Sequence, residues 1–152
     1  MYIHIMDLKN IDLDLNEIAN NCFCFNLRST TRTITRLYDK ELAPSGLKIT
    51  QFSILVAIYL FKKATIGEIA KQQSLERTTL TRNLTIMERN GIVTITEDKD
   101  ARKKIVKLTK KGEAVVQKAI PLWKTVQRKM REQLDDFDCA NKLQQAVKKL
   151  KI

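Results

Sequence analysis

The stretch that decides the fold is residues 65–111, TIGEIAKQQSLERTTLTRNLTIMERNGIVTITEDKDARKKIVKLTKK. It starts with Thr65-Ile66-Gly67-Glu68, a capping box in which a hydroxyl and a carboxylate three residues apart bond the unpaired amides of a helix start. A second helix rich in Arg and Thr follows, and two β-branched segments then flank a basic loop. A short capped helix, a polar helix and a basic hairpin in this order predict a winged helix-turn-helix.

The second helix, residues 76–89, has two different faces. Leu80, Leu84 and Met87 recur at helical spacing and predict a buried stripe. The polar residues that we predict to contact the major groove of DNA are Arg77, Thr78, Thr79, Thr81 and Arg82. Arg can hold a guanine edge through two hydrogen bonds, and Thr can contact a phosphate or a thymine methyl group. The alternative is a solvated charged face, which the capped helix before it and the hairpin after it disfavour.

The hairpin loop, residues 97–104, is the second predicted DNA contact. Its strands are residues 92–96 and 105–108. Asp100 precedes Arg102 by two residues and would orient the guanidinium for insertion into the minor groove, where negative potential is concentrated. The lysines expected on the flanking phosphates are Lys99, Lys103, Lys104 and Lys107. The alternative is an ordinary charged loop.

The remaining pattern is helical. A first helix over residues 13–42 would be about 45 Å long, so part of its apolar stripe is expected to face a second subunit in a homodimer. Thr50 is predicted to cap a helix over residues 51–61, Ser74 to cap the polar helix and Thr109 to cap a fifth helix that Pro121 should kink. A last helix covers residues 138–150.

The predicted fold class is therefore mainly α with a small β-hairpin wing, a winged helix-turn-helix with a helical dimerisation region from both termini. We expect a single compact protomer built from three segments. Residues 1–48 would form the N-terminal dimerisation helix, residues 49–111 the DNA-binding region and residues 112–152 the C-terminal dimerisation helices.

Charge points to double-stranded DNA as the partner. The chain has 28 Lys and Arg against 17 Asp and Glu, a net charge of +11, which favours nucleic acid or an acidic membrane surface. Residues 71–112 carry a local excess of +6, whereas residues 1–21 carry −3. Neither a run of about 18 apolar residues nor a signal-peptide pattern occurs, so we expect a cytoplasmic protein without membrane association.

Cysteine and histidine usage argues against metal or cofactor binding. The three cysteines, Cys22, Cys24 and Cys139, are too few for a disulfide framework. With only His4 beside them, they do not fall in the paired spacings of a zinc site. We therefore predict neither a metal nor a cofactor.

The chain resembles the MarR family of bacterial transcription regulators from Leu15 to Leu150. The resemblance is carried by Leu42-Ala43-Pro44-Ser45-Gly46-Leu47, Thr50-Gln51-Phe52, Thr78-Thr79-Leu80-Thr81-Arg82, Glu88-Arg89-Asn90-Gly91, Asp100-Ala101-Arg102, Leu108-Thr109-Lys110-Lys111-Gly112 and Pro121-Leu122-Trp123. It implies a non-enzymatic two-fold dimer joined through its terminal helices, with repression relieved by a small ligand or by cysteine oxidation. Such a dimer would read a pseudo-palindromic operator with half-sites about one helical turn apart.

Cys24-Phe25 with Tyr38 is similar to the organic-hydroperoxide-sensing branch of that family, which implies that Cys24 is the peroxide sensor. Arg28 lies one turn later, and a nearby cation favours thiolate over thiol. Cys22 and Cys139 are further candidates, although Cys22 and Cys24 point about 200° apart on a helix and cannot form a disulfide there. The alternative is packing as small hydrophobic side chains.

Inducer binding is also predicted, in a pocket lined by Phe23, Arg28, Tyr38 and Phe52. An Arg among apolar groups would suit an anionic aromatic ligand, and the alternative is that the aromatic residues are simply core.

Two rival functions remain open. A thiol oxidoreductase would use Cys22 and Cys24, but the helical setting and the lack of a βαβ pattern disfavour it. A sequence-nonspecific architectural DNA-binding protein would need only the positive charge.

Overall fold

The computed structural model describes residues 18, 20–62, 64–98, 104–134 and 137–149. It contains two compact units, Met1–Thr35 and Arg36–Ile152. The α-helices are α1 (Phe23–Leu42), α2 (Ile49–Phe61), α3 (Ile66–Gln73), α4 (Arg77–Arg89), α5 (Lys110–Gln133) and α6 (Phe137–Lys149), and the strands are β1 (Ala64–Thr65), β2 (Val93–Glu97) and β3 (Lys104–Leu108). The predicted fold class, mainly α with a small β wing, is confirmed.

The strands form one antiparallel sheet in the order β1-β3-β2. Ile95 of β2 and Ala64 of β1 both pair with Val106 of β3. Sequence analysis predicted β2 and β3 but not β1, because two residues are too short for an alternating pattern. Through β1, the hairpin is hydrogen-bonded to the residues just before α3.

The core lies among α2, α3, α4, the sheet and the first half of α5. The predicted stripe of α4, Leu80, Leu84 and Met87, is fully buried in it. Helix α2 is buried on most of its circumference, which explains why it has little polar surface. Among the described residues, no single helix is long and apolar enough to cross a membrane; the bent pair Phe23–Ser45 with Ile49–Phe61 meets that test only jointly.

Two of the predicted helix caps are confirmed. Thr65 Oγ1 accepts the Glu68 N–H at 3.2 Å, and Glu68 Oε2 accepts the Thr65 N–H at 2.8 Å, which completes the capping box. Thr109 Oγ1 accepts the Gly112 N–H at 3.0 Å at the start of α5. Each cap of this kind stabilises its helix by about 1 kcal/mol.

The predicted cap at Thr50 is wrong. Helix α2 begins at Ile49, because Asp39 Oδ1 accepts the Ile49 N–H at 2.8 Å. The Gln51 side chain accepts the Lys48 N–H at 3.0 Å. The first amides of the helix are thus satisfied by Asp39 and Gln51, and the carboxylate of Asp39 also favours the positive end of the helix dipole.

The predicted cap at Ser74 is also wrong. Ser74 ends α3 in the left-handed conformation, with φ +49°, and its N–H donates to the Lys71 carbonyl at 3.3 Å. The residue before α4 is Glu76, whose side chain makes no capping hydrogen bond.

The helices near the two ends of the chain have boundaries that differ from the predicted ones. Residues 18, 20 and 21 are helical, but Cys22 interrupts the predicted first helix, and α1 starts at Phe23. Beside this break, Asn26 Nδ2 donates to the Asn20 carbonyl at 2.7 Å, an Asn bond that competes with helix geometry. Helix α5 continues through Pro121 to Gln133. The predicted segments 13–17 and 150 lie outside the described residues.

Candidate nucleic-acid interface

The burial of one face of α4 determines what the other face presents. Leu80, Leu84 and Met87 hold one face of the helix in the core. The five predicted DNA-contacting residues, Arg77, Thr78, Thr79, Thr81 and Arg82, are all exposed on the same helix. The guanidinium groups of Arg77 and Arg82 have no hydrogen-bond or ion-pair partner within the described part of the chain. They are therefore available to an anionic or base-edge partner.

The threonines of α4 are partly used within the helix. Thr81 Oγ1 donates to the Arg77 carbonyl at 2.8 Å, and Thr85 Oγ1 donates to the Thr81 carbonyl at 3.0 Å. With its proton engaged, the Thr81 hydroxyl offers only acceptor lone pairs and its methyl group to a partner. Thr85, which was not predicted as a site residue, lies one turn beyond Thr81 and extends the exposed polar face.

The N-terminal end of α4 is open. The first intrahelical bond is from the Leu80 N–H to the Glu76 carbonyl at 3.0 Å. The amides of residues 77–79 therefore have no partner among the described residues, and no side chain caps them. Unpaired amides at the positive end of a helix dipole favour an anion such as phosphate.

The C-terminal end of α4 is held by the start of α5. Thr109 Oγ1 donates to the Gly91 carbonyl at 2.7 Å, and Lys111 Nζ donates to the Asn90 carbonyl at 2.8 Å. Gly112 lies so close that a Cβ placed on it would be 2.1 Å from the Ile92 carbonyl oxygen. Neither Lys111 nor Gly112 was predicted to have this role, and their only signal in the sequence was the Thr109-Lys110-Lys111-Gly112 motif.

A further hydrogen bond joins α4 to the wing. Glu88 Oε1 accepts the Ile95 N–H at 3.1 Å. Strand β2 is at the edge of the sheet, so its outward amides have no neighbouring strand. Glu88 was not predicted as a site residue, and its hydrogen bond links α4 to strand β2 of the wing.

The tip of the wing lies outside the described residues, and with it the predicted Lys99, Asp100, Arg102 and Lys103. Lys104 begins β3 and is exposed, as is Lys107 three residues later. These two lysines add exposed positive charge to the described part of the wing.

The predicted redox residues differ in accessibility. Cys24 is an exposed free thiol and Cys22 is half-buried. Arg28, one turn after Cys24, is exposed and has no ion-pair partner among the described residues. The Cys139 side chain lies outside the described part of α6.

Of the predicted pocket residues, Phe52 lines a cavity of about 720 Å³. Tyr38 is buried and its hydroxyl accepts a hydrogen bond from the Gln127 side chain. Burial raises the pKa of Tyr38 above 10.0, and the bond to Gln127 opposes that shift. Phe23 and Arg28 belong to the first compact unit, where both are exposed.

Comparison with known proteins gives a consistent result. The model of the MarR family matches residues 47–105. The HTH-type transcriptional regulator YwoH of Bacillus subtilis is 31% identical over 95 residues, which are 62% of this chain and 69% of that protein. The organic hydroperoxide resistance transcriptional regulator of the same organism is 27% identical over 107 residues, 70% of this chain and 73% of that one. The crystal structure of the M. tuberculosis transcriptional regulator MosR in complex with DNA has a TM-score of 0.71 and 43% identity, covering 86% of this chain and 99% of that chain.

Proposed function

The chain belongs to the MarR family, and we propose that it is a transcription repressor that binds a pseudo-palindromic DNA operator as a homodimer. The observation that carries this proposal is the exposed face of α4, on which Arg77 and Arg82 are unpaired among the described residues. The 43% identical M. tuberculosis regulator, whose structure contains DNA, supports the same function.

In this proposal, the N-terminal half of α4 enters the major groove. The open amides of residues 77–79 bind a phosphate, while Arg77 and Arg82 reach base edges or phosphates. Thr81 contributes its methyl group, because its proton is donated to the Arg77 carbonyl. Lys104 pairs with Glu97 where the strands meet the loop of the wing, and Lys99, Asp100, Arg102 and Lys103 act at the tip, as predicted from the sequence.

Exposed apolar side chains support a dimer. In α1, Phe23 is 83% exposed and Phe25 56%, and in α6 Leu143 and Val147, one turn apart, are each 48% exposed. Large apolar groups clustered on a surface mark an interaction site. A second copy of the chain would cover these helices and place two α4 helices on successive turns of DNA.

DNA is released by oxidation of Cys24 or by a small ligand. In the oxidative route, the exposed Cys24 thiol gives up its proton and its sulfur attacks a hydroperoxide oxygen. The O–O bond breaks, the alkoxide takes up a proton and leaves as the alcohol, and the sulfur becomes a sulfenic acid. The cysteine is oxidised by two electrons and the peroxide is reduced. The relative named as an organic hydroperoxide resistance regulator supports this route.

DNA binding is tested by fluorescence anisotropy on duplex DNA from the protein's own upstream region, with a shuffled duplex as the competitor. Arg82→Ala is expected to weaken binding by about 1–3 kcal/mol. Lys118→Ala, which removes one exposed charge from α5, is the control and should bind like the parent protein. Equal affinity for the shuffled duplex would favour a nonspecific architectural protein.

The release of DNA on cysteine oxidation is tested with the same duplex. Hydroperoxide-treated parent protein should lose binding, and treated Cys24→Ser should keep it. Cys22→Ser is the matched control and should still respond to peroxide. Binding that is indifferent to peroxide in the parent protein would contradict the oxidative route and leave the small ligand as the inducer.

A further inference from the structure

The cavity of about 720 Å³ lies between α2, the end of α3 and the first half of α5. Its size is within the range of about 300–1,000 Å³ that holds drug-sized molecules. All its lining residues fall between positions 52 and 123. The chemistry of the lining determines which class of molecule it suits.

Aromatic rings form much of the lining. Phe52 and Trp123 lie with their ring centroids 6.5 Å apart and their planes at 33°. Tyr59 also lines the cavity and is 62% exposed. Aliphatic side chains, among them Val56 and Val116, complete the apolar surface. Such walls favour a flat aromatic molecule, whose faces can stack on these rings.

The charge on the described lining residues is negative. Glu113 is the only charged residue among the described residues that line the cavity, and Gln73 and Gln117 are neutral amides. A carboxylate ligand would find no cation among the described lining residues and would be repelled by Glu113. A positively charged nitrogen would be attracted both by Glu113 and by the aromatic faces.

We infer that this cavity binds an aromatic molecule that carries a positively charged nitrogen and that its occupancy regulates DNA binding. The inference rests on the proposed function and names the ligand class for its small-ligand route. It differs from the anionic ligand that Arg28 suggested in the sequence, because the lining side chains offer a carboxylate and aromatic faces.

The cavity is placed to act on α4. Gln73 is the last residue of α3, and Ser74 and two further residues lead from it to α4. Glu113 follows Gly112, which lies against the Ile92 backbone at the other end of α4. A ligand that moves either contact therefore shifts a segment that positions the DNA-reading helix, and the two binding events are coupled.

Ligand class is tested with three probes that share a phenyl ring: benzyltrimethylammonium, benzyl alcohol and phenylacetate. Trp123 is the only tryptophan of the chain, so its fluorescence reports occupancy of the cavity. The cation should change the emission of the full-length protein at a concentration about tenfold lower than phenylacetate does, in line with a cation–π and carboxylate contribution. Equal or tighter binding of phenylacetate would overturn the ligand class.

The role of Glu113 is tested with a matched pair of variants. Glu113→Gln should reduce the affinity for the cation to about that for benzyl alcohol, a loss of roughly fivefold to tenfold. Glu132→Gln removes the same charge from the exposed end of α5, away from the cavity, and should leave the affinity unchanged. An equal loss in both variants would mean that only net charge matters and would contradict a specific site.

Regulation is tested on the operator duplex, with tetramethylammonium at equal concentration as the control for ionic strength. Benzyltrimethylammonium at saturation should weaken DNA binding by about fivefold or more, and tetramethylammonium should not. Unchanged DNA affinity with a filled cavity would overturn the regulatory role. Failure of the protein alone to bind the operator would instead contradict the proposed function, and the Trp123 titration would still decide the ligand class.

Discussion

The two ends of α4 are built in opposite ways. At the N-terminal end, the amides of residues 77–79 and two guanidinium groups have no partner among the described residues. At the C-terminal end, Thr109 and Lys111 bond the carbonyls of residues 91 and 90, and Gly112 lies against Ile92. The free end presents the groups that we propose to read DNA, while the held end fixes the position of the helix. A rigid anchor behind unpaired polar groups is the arrangement that precise recognition requires.

The largest effect is expected at the held end, from Gly112→Ala. The added Cβ would be 2.1 Å from the Ile92 carbonyl oxygen, and neither α5 nor the backbone at Ile92 can yield without disturbing the core. We expect a loss of about 3 kcal/mol in the free energy of unfolding. Urea denaturation measures it.

Gly67→Ala is the matched control for that prediction. Its Cβ would meet nothing closer than Thr65 Oγ1 at 4.0 Å, and Ala is favoured over Gly within a helix by about 1 kcal/mol. Gly67→Ala should therefore be neutral or slightly stabilising. Equal stability of the two variants would mean that α5 does not hold α4 in the way described.

An intermediate effect is expected at the link between α4 and the wing. Glu88→Ala removes both a negative charge and the acceptor of the Ile95 N–H. Glu88→Gln removes the charge but keeps an acceptor oxygen, so the comparison of the two isolates the hydrogen bond. Such a bond at an exposed site contributes about 0.5–1.5 kcal/mol, and we expect the Ala variant to bind DNA about threefold more weakly than the Gln variant.

Hydrogen exchange distinguishes the effect of the Glu88 hydrogen bond on the wing from the effect of the Glu88 charge on DNA binding. Hydrogen exchange at the Ile95 amide should be faster in Glu88→Ala than in Glu88→Gln, because only the Ala variant leaves that amide to solvent. If the two variants exchange and bind DNA alike, Glu88 acts on DNA binding only through its charge.

The contrast between the two ends also explains what the sequence could predict. The α4 stripe and the caps at Thr65 and Thr109 depend on residues within one helical turn, and they were predicted correctly. The anchor depends on pairs distant in sequence, such as Lys111 with the Asn90 carbonyl. No periodicity reports such a contact.

The incorrect predictions also involve contacts between residues that are distant in sequence. Thr50 has the right residue type for a cap, but Asp39, ten residues before Ile49, satisfies the helix start instead. The cavity joins Phe52 with Trp123 across the fold, so its lining, including Glu113, could not be read from local pattern. The predicted pocket consequently shares only Phe52 with it.

The smallest effect is expected at the free end, and it tests how that end reads DNA. Thr81 donates its hydroxyl proton to the Arg77 carbonyl, so Thr81→Val removes a group that has little left to offer DNA while keeping the methyl contact. Val and Thr also have similar helix propensities. We expect operator affinity within about twofold of the parent protein.

Thr81→Ser reverses the change, because Ser keeps the hydroxyl and loses the methyl group. If a thymine methyl packs against Thr81, Ser should bind more weakly than Val on the operator, and the difference should vanish when that thymine is replaced by uracil, which lacks the methyl. The opposite order, with Val about tenfold weaker than Ser, would mean that the hydroxyl leaves the Arg77 carbonyl on binding. In that case the free end of α4 rearranges on DNA, and only the held end is preorganised.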